Sequence, residues 1–160
     1  MKILVISDSH GNIANLKHVM GFAKKIKVKA VIHCGDWDNA ESAKTVLSFG
    51  ISLYSVLGNA DIDSELEDIL KFQAKKFEPN FLKVQIDDRK IGVIHFVKEK
   101  DEKLEGLDIV FSGHRHSKEE KEINFTKFVR PGAIINGTNF AVYETANNRV
   151  EFFGDEIIQP

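Results

Sequence analysis

Three times in its first half, the chain passes from an apolar run through a short polar turn into an amphipathic segment. The runs cover 3–6, 28–32 and 51–57. The turns that follow read Asp8-Ser9-His10-Gly11-Asn12, His33-Cys34-Gly35-Asp36 and Gly58-Asn59-Ala60-Asp61. A strand that rejoins its sheet after a helix runs parallel to its predecessor, through a right-handed crossover. Such sheets bind ligands at the carboxyl ends of their strands, and Asp8, Asp36 and Asn59 all fall there.

Each segment after a turn has helical spacing. After Asn12, Leu16, Val19, Met20 and Ala23 fall on one face, and Lys17, His18, Lys24 and Lys25 on the other. His18 is therefore expected to face solvent. A second helix is expected over about 39–49, with Asp38 and Glu41 as a capping pair. The third carries Ile62, Leu66, Ile69 and Leu70 on its inner face, with Ser64 and Glu67 at capping-box spacing.

Beyond Phe72 the apolar period falls to two. Leu82, Val84 and Ile86 alternate, Asp87-Asp88 offers a turn and 91–96 returns, the pattern of an antiparallel hairpin. Residues 108–112 form another buried run entering Gly113-His114-Arg115-His116. Segments 123–129, 140–144 and 150–153 read as strands, and Asn147-Asn148 suits a hairpin turn. A parallel front half and a strand-rich back half are most economically two packed sheets with helices outside.

Composition narrows the chemistry. Cys34 is the only cysteine in 160 residues, so an intrachain disulfide and a thiolate zinc cluster are both excluded, and any metal must sit on His and carboxylate. Cys34 itself suits a small buried apolar position. A formal net charge of -2 and a pI near 6.3 provide no basic face for nucleic acid. The cluster Lys24, Lys25, Lys27 and Lys29 is a solvated face. No apolar stretch approaches the roughly 20 residues that span a bilayer, and Met1-Lys2 leads straight into a short run with Asp8 behind it, unlike a cleavable leader. The expectation is one cytoplasmic domain over 1–160, with no membrane partner.

Taken in order, the strand-end groups are Asp8-x-His10, Gly35-Asp36, Gly58-Asn59, His95 and Gly113-His114-x-His116. This order closely resembles the calcineurin-like metallophosphoesterase superfamily, and within it the small single-domain phosphodiesterases related to the vacuolar sorting scaffold subunit. The resemblance implies an α/β (α+β) fold of two packed mixed β-sheets with flanking helices, a four-layer sandwich. It also implies two divalent ions about 3.5–4 Å apart. Asp8, His10 and His116 would hold one ion, Asn59, His95 and His114 the other, and Asp36 would bridge them. Mn2+ leads as the ion, with Ni2+, Zn2+ and Fe as alternatives. Asp36, Asn59 and His95 carry the catalytic roles in that reading, through a bridging water made acidic enough to attack phosphorus as hydroxide. Asn59 can also donate its NH2 to a phosphate oxygen. Arg115 is a candidate phosphate contact by its charge, and Gly11-Asn12 would turn a helix N-terminus toward the anion. His33 stands open between a supporting group and a plain strand-end residue.

The chain departs from the family pattern at three places. Ala60 stands where many relatives have a histidine resembling a general acid, so leaving groups that depart without protonation are favoured. Phe96 stands where glycine is usual, and the charged stretch 98–105 is short. Arg130-Pro131-Gly132 replaces an Asn-Pro-Gly loop. The expected function is a metal-dependent phosphodiesterase on small phosphoesters, since the chain is too short for a separate capping domain. The alternative is a non-catalytic scaffold on the same fold, which loss of metal ligands would betray; all seven are present. A homo-oligomer is compatible with either.

Overall fold

The computed structural model describes residues 1–154; residues 155–160 of the expected domain lie outside the described residues. The three strand–helix units form as the periodicity predicts. They are β1 (Lys2–Ile6) with α1 (Ile13–Lys25), β2 (Ala30–His33) with α2 (Ala40–Leu47), and β3 (Ser52–Ser55) with α3 (Ser64–Gln73). A two-residue strand β4 (Lys76–Phe77) then pairs parallel to β3. The hairpin follows as β5 (Phe81–Ile86) and β6 (Arg89–Ile94), and after a single 3-10 turn at Glu102–Leu104 comes β7 (Ile109–Phe111). The described residues end in β8 (Lys118–Ile123), β9 (Thr126–Pro131), β10 (Phe140–Glu144) and β11 (Arg149–Phe153).

Two mixed sheets result, a six-stranded one ordered β11-β10-β1-β2-β3-β4 and a five-stranded one ordered β5-β6-β7-β9-β8. Alternation along β1 divides its side chains between two cores. Ile3 and Val5 join Ile32, Val93, Phe111 and Tyr143 between the sheets, while Leu4 and Ile6 join Leu16, Val46 and Leu70 beneath the helices. The central strands are thus apolar on both faces, as parallel strands covered on two sides must be. All three helices cover one face of the first sheet. The fourth layer is thin, for the far face of the second sheet is covered by Leu104 and Leu107 near the 3-10 turn, packed on Ile94 and Val110. Cys34 is buried between the sheets, and His18 is exposed.

Several local expectations are corrected. Helix α2 is capped by Asn39, whose side chain accepts from Ser42 N–H, because Asp38 sits in the left-handed region at φ 84°. Helix α3 is capped by Asp63, which accepts from Glu65 N–H, so Ser64 and Glu67 form no capping box. Ile62 precedes the helix and is exposed rather than on its inner face. The stretch 123–129 is no single strand: it breaks at Asn124 and Phe125, both with positive φ, and the highly charged segment before it forms β8.

Candidate metal centre

The turns after β1, β2 and β3 and the loops after β6 and β7 open at one end of the molecule and bring all seven implied ligand residues together. Asp8 and Asp36 are 0% and 3% exposed, and His95 is buried beside them; Asn59, His114 and His116 reach in from the surface. One group comprises Asp8, His10 and His116 and another Asp36, His95 and His114, each with its ligand atoms within 4.8 Å of one another. Asp36 Oδ2 lies 3.4 Å from His10 Nε2 and 3.2 Å from His95 Nε2, so it stands between the groups. Asn59 Oδ1 lies 3.0 Å from His95 Nε2 and 3.0 Å from His114 Nδ1.

The backbone bends to achieve this. Asp8, His10, Asp36, His114 and His116 all have positive φ, between 41° and 72°. That conformation costs a non-glycine residue on the order of 1–3 kcal/mol, and such strain persists where the surroundings impose it, typically at functional sites. Two glycines permit the approach. A Cβ on Gly58 would overlap Asp36 Oδ1, and one on Gly113 would overlap Ser7 Oγ and Asp8 Oδ2.

Hydrogen bonding leaves the converging atoms free to bind. His95 Nδ1–H donates to the Cys34 carbonyl at 2.8 Å, which leaves Nε2 as a lone pair facing Asp36 and Asn59. Asp36 Oδ1 accepts from Ala60 N–H at 2.9 Å, leaving Oδ2 for the centre. Asp8 Oδ2 accepts from Ser7 Oγ and from His114 N–H. Asp8 Oδ1 is buried without a hydrogen-bond partner, and its 3.2 Å contact with His116 Nε2 is an ion pair only if that imidazole is protonated. An orphaned buried carboxylate oxygen is costly unless a cation takes it. The mixed oxygen and imidazole donor set suits first-row divalent ions. On both counts the residues fit two metal ions.

Charge follows the same geometry. Burial works against ionising Asp36, yet the His95 contact and the Ala60 N–H outweigh it and hold the carboxyl well below the usual range. Burial likewise opposes charge on His95, but Asp36 and the Cys34 carbonyl prevail and raise its pKa.

Two supporting groups frame the turns. His33 Nδ1 accepts from Gly35 N–H at 3.1 Å, so its Nε2–H donates to Ser9 Oγ at 3.0 Å, and its ring stacks on Trp37. Burial, above all, lowers its pKa and keeps it neutral. It thereby ties the turn bearing Asp8 and His10 to the one bearing Asp36. Sequence reasoning passed over Asp61, whose carboxylate accepts from the N–H groups of Asp36, Asp38 and Gly58, each at 2.8 Å. Burial pushes this carboxyl up despite those donors. Its only sequence signal is its place two residues beyond Asn59 in a glycine turn.

Other candidates stand apart. Arg115 is exposed, and among the described residues its side chain makes no hydrogen bond or ion pair. Arg130 points away to bond Ser117 and Glu119. Asn12 is used locally, capping α1 through Asn15 N–H.

Comparison with known proteins adds an independent line. The family model described as the calcineurin-like phosphoesterase superfamily domain matches residues 1–148. Phosphodiesterase MJ0936 of Methanocaldococcus jannaschii is 28% identical over 138 residues, which cover 82% of this chain and 83% of that protein. The structure of an archaeal phosphodiesterase superposes with a TM-score of 0.86 at 24% identity, covering 97% of this chain and 100% of the other. Vps29 of Chaetomium thermophilum superposes with a TM-score of 0.68 at 17% identity, covering 98% and 97%. The two structural likenesses establish the shared fold.

Proposed function

Because this chain belongs to the calcineurin-like phosphoesterase superfamily, we propose that it is a metal-dependent phosphodiesterase acting on small phosphodiesters at a two-ion centre. Asp8, His10 and His116 would hold one ion and Asn59, His95 and His114 the second, with Asp36 standing between the two groups. The observation that carries this reading is the placement of Asp36 Oδ2 between His10 and His95, beside the orphaned Asp8 Oδ1. When bound, two such ions supply Lewis acidity to the phosphoryl group and an acidic water for in-line attack.

The residues do the rest. Asp36 stays ionised because His95 and the Ala60 N–H stabilise its charge, and this offsets repulsion between neighbouring cations. Asn59 directs Oδ1 toward His95 and His114, which leaves its NH2 to donate to a phosphoryl oxygen. The Cys34 carbonyl accepts from His95 Nδ1–H, which orients the ring and aims Nε2 at Asp36 and Asn59. Position 60 offers a methyl group and no proton, so the leaving group departs unprotonated. Aryl phosphoesters are cleaved in preference to alkyl ones, and the rate depends steeply on leaving-group acidity. Mn2+ is the working ion.

Asp36→Asn tests the assignment. With Mn2+ and bis(p-nitrophenyl) phosphate, the variant is expected to lose more than about 100-fold in kcat/KM while keeping the parent melting profile. Undiminished hydrolysis by a folded variant would refute the bridging role. The likeness to Vps29 supports a second reading, a protein-binding scaffold. Retention of every ligand position weighs against it, and a purified protein that takes up no Mn2+ would favour it.

A further inference from the structure

Three of the large apolar side chains exposed on this molecule, Ile62, Phe96 and Ile135, belong to loops that build the centre. Ile62 lies three residues beyond Asn59. Phe96 follows His95 directly. Ile135 donates its N–H to the Asp8 carbonyl at 3.1 Å, and the next residue, Asn136, contacts His116 Nδ1 at 3.3 Å. Single exposed apolar residues are ordinary on protein surfaces. What distinguishes Phe96 is its setting. Its ring meets that of His114 edge to face, with centroids 4.9 Å apart, and it is still 39% exposed. After Val97, which packs against Leu104, Leu107 and Val110, the chain continues in Lys98, Glu99 and Lys100, all exposed and charged. One side of the ring therefore packs on a residue of the centre while the remainder meets solvent at its mouth.

We propose that Phe96 is a specificity-determining residue, which binds the ester group that stays on phosphorus and selects phosphodiesters in which that group is aromatic. The inference rests on the phosphodiesterase reading and deepens it. A phosphodiester carries one negative charge for the centre and two ester arms. The absent proton donor at Ala60 concerns the arm that leaves; Phe96 concerns the arm that remains. An aryl or nucleobase ring is the chemistry that an exposed aromatic face recognises best, through offset or edge-to-face contact and burial of apolar area.

The experiment compares phenyl p-nitrophenyl phosphate with methyl p-nitrophenyl phosphate, which share a leaving group and differ only in the retained arm. In Mn2+, Phe96→Ala is expected to lower kcat/KM for the phenyl ester by about 10-fold, chiefly through KM, and for the methyl ester by less than about 3-fold. Phe96→Trp should restore the preference. Calorimetric titration with diphenyl phosphate and dimethyl phosphate gives a second readout, in which only diphenyl phosphate binds about 10-fold more weakly to Phe96→Ala. An equal fall on both esters, accompanied by weaker Mn2+ uptake, would show that Phe96 merely positions His114 and would overturn the proposal. So would an unchanged phenyl-to-methyl ratio. If the parent cleaved neither ester, the phosphodiesterase reading would fail, while the titrations would still decide whether Phe96 selects aromatic phosphodiesters.

Discussion

In the six-stranded sheet, the turns after β1 and β2 hold each other through a short ladder, with Asp8, His10 and Gly11 N–H groups donating to the carbonyls of Gly35, Asp36 and Trp37, each at 3.0 Å. Behind that ladder, His33 bonds both turns and Asp61 gathers three N–H groups. The five-stranded sheet contributes differently. After the three-residue β7, His114 and His116 are exposed. His114 is held by its N–H to Asp8 Oδ2 and by its Nδ1 contact with Asn59, and His116 by contacts with Asn136 and Asp8 Oδ1. The carboxylates, which must be desolvated and kept ionised, are thus built into the frame before any ion arrives. The two exposed imidazoles, His114 and His116, close over the top at little desolvation cost, while His95 is buried with the carboxylates. Preorganisation is concentrated where charge must be buried, since that is where reorganisation is most expensive.

Paired substitutions measure this inequality. Asp8→Asn is expected to weaken Mn2+ binding by more than about 100-fold, and His116→Asn by about 10-fold, in titrations of proteins with matched melting temperatures. Equal losses would mean that the two sheets contribute alike. Asp61→Ala touches no ion, yet it strips an acceptor from three backbone N–H groups in the frame. A loss of about 3 kcal/mol in denaturant unfolding and about 10-fold in Mn2+ affinity is expected. A variant that lost stability but bound Mn2+ as tightly as the parent would show that the frame shapes the fold without tuning the centre.

Much of this arrangement was legible in the sequence, and the exceptions have physical causes. The strand–helix units were readable because Leu16, Val19, Met20 and Ala23 repeat at 3.6 while Leu82, Val84 and Ile86 repeat at 2. The order of Asp8, His10, Asp36, Asn59, His95, His114 and His116 was readable through its resemblance to the family pattern, which the apolar runs before these groups supported. Asp61 was not, because its partners are backbone N–H groups up to 25 positions away, which leave no mark on side-chain pattern. The turn at Asn124-Phe125 was not, because Phe is a poor sign of positive φ. Strand β8, Lys118–Ile123, has too few apolar residues to show a period and is held as an edge by pairing with β9. Asn39 and Asp38 were equally good caps by type, and long-range bonding of Asp38 N–H to Asp61 decided between them.

The pH dependence offers a gentler probe of the same frame. His95 already donates Nδ1–H to Cys34, so any added proton sits on Nε2, the atom an ion requires. Its pKa is raised in the folded, metal-free protein. Mn2+ affinity should therefore rise with pH through that value, by up to about 10-fold per unit for one displaced proton, and level off above it. The metal-free protein should move the opposite way. The stability contributed by protonated His95 is fully present below the unfolded value near 6.5 and is lost as pH rises through the folded one. Calorimetry and thermal melts across pH 5.5 to 8.5 check both signs, and His95→Gln should flatten both curves.

The smallest effect is expected at the outer edge of the second sheet. Arg130 on β9 lies opposite Glu119 on β8, with a 2.8 Å contact from Nη1 and a further bond from Nη2 to Ser117. The pair is partly exposed, so its net worth is of the order of 1 kcal/mol or less. Arg130 Nε is buried without a partner, a cost that offsets part of that gain. Arg130→Met keeps the apolar stem packed and removes both the pair and the orphan donor. It should change stability by less than about 1 kcal/mol and leave kcat/KM within about 2-fold of the parent. A fall of 10-fold or more at an unchanged melting temperature would give Arg130 a role on the substrate side. It would also show that the exposed half of the site extends further along the second sheet than His114 and His116.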